Sequence, residues 1–235
     1  MNYRSHPEEE GQTFRDNESK ELIYPQRLVV KFGTENLCNS NGELDQVIFN
    51  DYARQIAELR AQGVEVIVVS SAAIQAGREY LGELGKDDSR YDKPQLSSLG
   101  QAMLMSRWKF AFDPYGIGVG QILVTYANWN SEEEKASIKN CILGLLEEGD
   151  IPILNESDPV SNKEIVSMEK RISENDKLTS MVTFLVDANA VLFLTDERGV
   201  YTGDPKRDPS AKLYEEIDIR NMPLDLVISS GGALV

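Results

Sequence analysis

The residues best suited to chemistry stand at the ends of apolar runs of strand length. They are a lysine, two acids, an amide and several small residues: Lys31 with Gly33, Ser70 with Ser71, Asn155 with Asp158, and Thr195 with Asp196. The carboxyl ends of parallel strands share one edge of a sheet, which is where open α/β sheets bind ligands. A lysine beside carboxylates and small-residue turns suits phosphoryl transfer, in which a protein positions two anions and neutralises their charge.

The stretch Arg27 to Thr34, RLVVKFGT, is the clearest of these strand ends. A buried parallel strand is typically a continuous β-branched run, and Lys31 then stands at its mouth. Gly33 has no Cβ and lets the backbone approach a phosphate closely, while Thr34 adds a hydroxyl group and an N–H donor. Taken alone, the same residues also fit a lysine that ends a strand at the surface.

The turn after the second predicted strand leaves two interpretations open. Strand VEVIVV, residues 64–69, runs directly into the small residues SSAAI, which begin a helix. Unpaired N–H groups and the helix dipole at such a corner bind anions. A hydroxyl group of Ser70 or Ser71 that caps the helix is the alternative.

Missing motifs exclude several other chemistries. The sequence has no G-x-x-x-x-G-K-[ST] loop and no G-x-G-x-x-G, which argues against a P-loop enzyme and a dinucleotide fold. Its only histidine, His6, lies in a polar acidic stretch at the amino end, so histidine-based acid–base chemistry in the core is excluded.

Composition restricts the partners. The 235 residues include 39 acidic and 24 basic side chains, a formal net charge of −15. This field repels phosphate and disfavours nucleic acid and anionic membranes. Cys38 and Cys141 lie far apart without metal-binding spacing, and no residue is assigned as a metal ligand. With no signal-like or membrane-length apolar run, the chain is expected to be cytoplasmic.

Strand-like runs alternate with helical patterns and predict an α/β fold with a mostly parallel central sheet sandwiched by helices. Residues 1–21 are predicted to be a flexible acidic tail, and 22–235 the domain. Further strands are predicted at 118–125, 151–158 and 190–195, and helices at 45–62, 70–79, 94–112, 131–148 and 174–186. The apolar face of the first helix is expected to include Val47, Ile48, Tyr52, Ile56 and Leu59.

Seven blocks in order resemble the amino acid kinase family, and within it the branch that phosphorylates glutamate. They run from about Arg27 to about Ile217: VVKFGT, VVSSAAIQAGREYLG, QLSSLGQAMLM, YGIGVGQILVT, IPILNESD, ENDKLTSMV and LFLTDERGVYTGDP. The resemblance implies a three-layer fold, a homo-oligomer (dimer or tetramer), and ATP, Mg²⁺ and L-glutamate as ligands. The implied reaction, the first step of proline synthesis, phosphorylates the γ-carboxylate. That carboxylate is ionised at pH 7 and needs no general base.

The resemblance also assigns roles to individual positions. Lys31 matches the lysine that contacts the transferred phosphoryl group, and Asp176 the acid that orients the active-site lysines. Ser71, Asp158 and Asn175 match the positions that hold the amino-acid substrate. The nucleotide positions are Lys31, Gly33, Thr195, Asp196, Tyr201 and Asp204.

Departures from the family pattern leave two functions open. Ala72 stands where the family usually has glycine, and Ser173-Glu174 where it has Gly-Asp. The glycine-rich G-T-G-G-M segment, a second phosphate-binding lysine and the RNA-binding-like carboxyl domain have no counterpart before Val235, so the domain is expected to be incomplete at its carboxyl end. The chain is then either a glutamate-phosphorylating enzyme or a weak or inactive homologue that acts as a ligand-binding or regulatory subunit.

Overall fold

A computed structural model describes residues 14–15, 22–160, 174–195, 199, 201–202 and 208–214. Its strands are β1 (Phe14–Arg15), β2 (Leu22–Ile23), β3 (Arg27–Phe32), β4 (Glu65–Ser70), β5 (Val119–Val124), β6 (Ile151–Glu156) and β7 (Ala190–Leu194). Within the described residues, five of them form a parallel sheet in the order β5-β6-β4-β3-β7. The predicted parallel sheet is confirmed.

The structure describes little of the predicted amino-terminal tail. Of residues 1–21, only Phe14 and Arg15 are described, and this β1 strand pairs antiparallel with β2. The rest of the predicted tail, like the predicted excursion at 161–173, lies outside the described residues.

Helices connect the strands at the predicted places. They are α1 (Gln46–Ala61), α2 (Ala73–Glu83), α3 (Lys93–Phe112), α4 (Glu132–Glu147) and α5 (Glu174–Leu185), with short 3₁₀ turns at Glu35–Leu37, Asp88–Arg90, Asp113–Tyr115, Tyr126–Asn130 and Asp158–Val160. Helix α3 begins with a capping box between Asp92 and Gln95, which satisfies two of its otherwise unpaired N–H groups. No helix in the described part of the chain has the length and apolar character of a membrane-spanning segment.

Alternate residues of each central strand point to opposite faces of the sheet, as the period of two requires. Val30 and Phe32 of β3 pack with α1, α2 and α3 on one face. Val29 of β3 packs with Ile142 of α4 and Val182 of α5 on the other. The fold is therefore three-layered, with helices covering both faces.

The inward face of α1 is partly as predicted, since Ile56 is buried and Tyr52 and Leu59 pack against the core. Val47 is 72% exposed, whereas Phe49 and Ala53 join Ile56 in the core. Phe49 meets Trp108 of α3 with ring centroids 4.8 Å apart. A large aromatic partner on α3 therefore decides which side of α1 is buried.

Helices α2 and α3 touch backbone to backbone below the carboxyl edge of the sheet. A Cβ at Gly100 would lie 1.9 Å from the carbonyl oxygen of Ala73, and one at Gly77 would lie 2.0 Å from that of Leu96. Only glycine fits at these two positions. The contact fixes α3 against the beginning of α2, and both helices supply residues to the site described next.

Candidate active site

An ion pair between Lys31 and Asp176 lies at the carboxyl edge of the sheet. Lys31 is on β3, and Asp176 is in the first turn of α5. Lys31 Nζ is 2.9 Å from Asp176 Oδ1, and the two side chains are 14% and 24% exposed. A half-buried cation of this kind stays accessible to an anion while the carboxylate offsets its charge and fixes its position.

An open cleft lies at the same edge. Its lining includes the three predicted substrate positions, Ser71, Asp158 and Asn175, and the predicted strand-end amide Asn155. Asn175 Nδ2 donates to Ser71 Oγ at 2.8 Å and to Asn155 Oδ1 at 3.1 Å. The fold thus brings together side chains that are 104 residues apart in the sequence.

A second layer of polar residues supports the cleft from α3. Ser97 Oγ donates to Asp158 Oδ2 at 2.5 Å, and Gln101 Oε1 accepts from Asn155 Nδ2 at 3.0 Å. No role was predicted for Ser97 or Gln101 from the sequence. The block QLSSLGQAMLM shows only that they are four residues apart and so share a helix face, and their burial is seen in the structure alone.

The corner between β4 and α2 resolves the two interpretations of the SSAAI turn. The N-cap residue of α2 is Ala72, at φ 87° and ψ 6°, and it makes no side-chain cap. Ser70 Oγ instead donates to the Ser71 carbonyl oxygen at 3.1 Å and accepts from Trp108 Nε1 at 2.9 Å. Ordinary serine capping is therefore wrong for this turn, and the first-turn N–H groups of α2 have no side-chain cap beside the cleft.

The predicted nucleotide positions are only partly described. Phe32 of β3 pairs with Leu194 of β7, so Gly33 and Thr195 follow at the same sheet edge. A Cβ on Gly33 would lie 3.6 Å from Lys31 Nζ and 3.9 Å from the Leu194 carbonyl oxygen. This places Gly33 between the amine and the end of β7.

The remaining nucleotide positions lie further along the chain. Tyr201 is half-buried and forms an isolated bridge with Leu213. Asp196 and Asp204 lie outside the described residues.

Comparison with known proteins gives a consistent family. The sequence profile of the amino acid kinase family matches residues 26–235. The chain is 38% identical over 208 residues to the glutamate 5-kinase of Vibrio vulnificus (strain YJ016), which covers 88% of this chain and 54% of that protein. The figures for the glutamate 5-kinase of Shewanella sediminis (strain HAW-EB3) are the same. The chain thus spans about half the length of these curated relatives.

Solved structures with the same fold have low sequence identity. UMP kinase from Ureaplasma parvum superposes with a TM-score of 0.55 at 18% identity, covering 84% of this chain and 78% of that one. Isopentenyl phosphate kinase superposes with a TM-score of 0.55 at 19% identity, covering 87% of this chain and 84% of that one. At this identity the likeness supports the three-layer fold alone.

Proposed function

Because the chain belongs to the amino acid kinase family, we propose that it transfers the γ-phosphoryl group of ATP to the γ-carboxylate of L-glutamate. The observation that carries this proposal is the Lys31–Asp176 ion pair at the edge that holds the polar cleft. The names of the relatives, glutamate 5-kinases that align over 88% of this chain, supply the identity of the acceptor.

In this proposal the acceptor side binds the amino-acid end of glutamate. The Asp158 carboxylate and Asn175 Oδ1 suit the α-ammonium group, and the hydroxyl group of Ser71 suits the α-carboxylate. The side chain of glutamate then extends toward Lys31. These three residues remain proposed substrate ligands, supported by their shared position around the cleft.

The chemical step needs charge neutralisation more than proton transfer. An oxygen of the ionised γ-carboxylate attacks the γ-phosphorus, and the bond to the bridging oxygen of ADP breaks, giving γ-glutamyl phosphate and ADP. No proton has to leave the acceptor, since a carboxylate is already ionised at pH 7. Lys31 would neutralise charge on the transferred group, and Asp176 would hold its ammonium in position.

The nucleotide is proposed to bind along the ends of β3 and β7. Gly33 leaves the backbone open beside Lys31, and Thr195 stands at the matching position after β7. Asp196, Tyr201 and Asp204 are proposed to shape the rest of this site on the strength of the sequence blocks. Local donors are needed here, because a net charge of −15 repels ATP at long range.

Mg²⁺ fits this site as an ion that enters with the nucleotide. Among the described residues, no group of three or more His, Cys, Asp or Glu side chains can hold a metal ion. Mg²⁺ bound to phosphates keeps several waters and needs only one or two carboxylates, of which Asp176 is one at this edge. When bound, it would supply further charge neutralisation on the phosphate oxygens.

The setting and assembly form part of the same proposal. Small-molecule substrates and a cytoplasmic location agree with the acidic composition and with the reduced cysteines Cys38 and Cys141. A homo-oligomer, dimer or tetramer, is proposed from the resemblance of the sequence blocks to the family.

Trapping the acyl phosphate tests the function. The purified chain with ATP, Mg²⁺, L-glutamate and hydroxylamine is expected to form γ-glutamyl hydroxamate and one ADP for each hydroxamate. Asp176→Asn is expected to lower the rate about 100-fold, because the Lys31 ammonium loses its partner. Asp113→Asn is the matched control, since Asp113 pairs with Lys109 in an exposed ion pair away from the cleft, and it is expected to leave the rate unchanged.

A ligand-binding homologue is the second candidate, favoured by one observation. Ala72 lines the cleft and holds a left-handed conformation at φ 87°, so a methyl group occupies the corner beside the first N–H groups of α2. Saturable glutamate binding in calorimetry, together with no hydroxamate from the wild-type chain, would replace the kinase with this function.

A further inference from the structure

Helix α3 directs two buried polar side chains at the acceptor cleft. Ser97 is 1% exposed and Gln101 is 8% exposed, and they lie four residues apart on one helix face. Buried polar groups of a helix are costly unless they are hydrogen-bonded. Both are bonded, and each bond leads to a residue of the cleft.

Ser97 reaches the cleft in one step. Its hydroxyl group donates to Asp158 Oδ2, and a hydrogen bond to an ionised carboxylate is stronger than one between neutral groups. Asp158 begins a single 3₁₀ turn, Asp158–Val160, beyond the end of β6. The bond from α3 therefore holds the carboxylate at a point where the sheet no longer does.

Gln101 reaches the cleft through two amides. Its Oε1 accepts from Asn155 Nδ2 at 3.0 Å, and Asn155 Oδ1 in turn accepts from Asn175 Nδ2 at 3.1 Å. This sequence of donors and acceptors fixes which way each amide points. Asn175 Nδ2 donates to both Asn155 and Ser71, so the remaining polar atom of this side chain is the acceptor Oδ1. That atom is buried and has no hydrogen-bond partner among the described residues.

The helix that carries both residues is itself held in place. Gly100 lies between them, and its backbone is in contact with Ala73 and Gly77 of α2. Ala73 also lines the cleft. Ser97 and Gln101 therefore project from a frame that is fixed to the cleft wall.

We propose that Ser97 and Gln101 are positioning residues that set the affinity for the acceptor amino acid, acting through Asp158 and Asn175. This inference rests on the proposed function, and it adds two residues behind the pocket to the three that line it. Since neither residue reaches the β3 and β7 edge, the proposal predicts an effect on glutamate and none on ATP.

The test compares Ser97→Ala with Ser98→Ala, a neighbouring exposed serine on the same helix. Loss of one hydrogen bond to a charged group is expected to raise the KM for glutamate about 10-fold, with kcat and the KM for ATP within about twofold. Ser98→Ala is expected to match the wild type in all three constants. Gln101→Leu, which removes the other connection, is expected to repeat the Ser97→Ala pattern.

Two results would overturn this inference while leaving the kinase intact. One is a KM for glutamate in Ser97→Ala and Gln101→Leu equal to that of the wild type. The other is a parallel change in both KM values and kcat together with a lowered Tm, which marks a purely structural role. A wild-type chain that neither turns over nor binds glutamate would overturn the proposed function, and this inference with it.

Discussion

The two sides of the candidate active site are built in different ways. The acceptor side, formed by Ser71, Asn155, Asp158 and Asn175, is cross-linked by side-chain hydrogen bonds from four elements of the fold. On the proposed nucleotide side, the structure describes Gly33 and Thr195 at the ends of two paired strands. Lys31 and Asp176 lie where the two sides meet.

This difference indicates which physical property determines substrate binding on each side. On the proposed acceptor side, hydrogen bonds order the side chains before the substrate binds, which lowers the entropy cost of binding. Small changes to these polar groups should therefore alter substrate affinity. On the proposed nucleotide side, Gly33 contributes space, because a backbone approaches a phosphate closely only where no Cβ intervenes. Mutations should therefore affect the two substrates separately.

Breaking the frame of the acceptor side should give the largest effect. In Gly100→Ala the new Cβ would lie 1.9 Å from a backbone oxygen and 2.2 Å from a backbone nitrogen of α2, so the helices must separate. We expect a loss of about 3 kcal/mol or more in the free energy of unfolding, measured by urea denaturation. A Gly100→Ala variant as stable as the wild type would contradict the close α2–α3 contact.

Gly82→Ala supplies the control for that experiment. A Cβ at Gly82, on the neighbouring helix α2, meets nothing within 4 Å. The variant should gain up to about 1 kcal/mol from helix propensity alone.

A methyl group added on the proposed nucleotide side should change the KM for ATP and leave the KM for glutamate nearly unchanged. A Cβ at Gly33 lies 3.0 Å from the flexible Asn36 side chain but 3.6 Å from Lys31 Nζ, so the fold should tolerate a methyl group that the phosphate does not. Gly33→Ala is expected to raise the KM for ATP about 10-fold, or about 1.4 kcal/mol, with the KM for glutamate within about twofold. Steady-state kinetics with each substrate varied checks this. Equal changes in both KM values would show that the two sides are not separable.

Removing the backbone strain at Ala72 should raise the free energy of unfolding, by less than Gly100→Ala lowers it. Ala72 at φ 87° occupies a conformation that costs an L-residue about 1–2 kcal/mol relative to the right-handed region. Ala72→Gly is therefore expected to raise the free energy of unfolding by about 1 kcal/mol in urea denaturation. Ala76→Gly, at a buried position inside the same helix, should lower it by at least about 1 kcal/mol. If both variants are destabilised alike, the strain at Ala72 is not real.

The smallest expected effect is a difference in thiol reactivity between Cys38 and Cys141. Burial raises the pKa of the Cys38 thiol, and the charges of Glu79 and Glu35 raise it further, despite the opposing effect of Arg107. Less thiolate is then present at neutral pH, so Cys38 should react severalfold more slowly with iodoacetamide than the exposed Cys141. Mass spectrometry of the labelled chain measures both rates, and the Cys38 rate should rise with pH as its thiolate forms. Faster labelling of Cys38 would contradict this.

The sequence predicted the elements well and their contacts less well. Continuous apolar runs such as LVV and VIVV identify buried parallel strands, and the parallel topology then brings Lys31 and Asp158 to one edge without further information. Val47 was misplaced because its helical spacing fits an inward face about as well as that of Phe49, and only the position of Trp108 distinguishes them.

The supporting layer of the site was not predictable for a physical reason. Ser97 and Gln101 belong to residue types that normally lie on the solvent face of a helix, so their burial becomes visible only once α2 and β6 are in place. The positive φ at Ala72 was equally hidden, because alanine rarely adopts it.

Replacing the amine of Lys31 tests the central claim most directly. Lys31→Met keeps the length and apolar part of the side chain but removes the charge at the junction of the two sides. We expect a roughly 1000-fold lower rate of hydroxamate formation, with the calorimetric Kd for glutamate within about threefold of the wild-type value. The control Lys109→Met, at an exposed ion pair, should match the wild type in both measurements. A Lys31→Met enzyme that retains more than a tenth of the wild-type rate would contradict it.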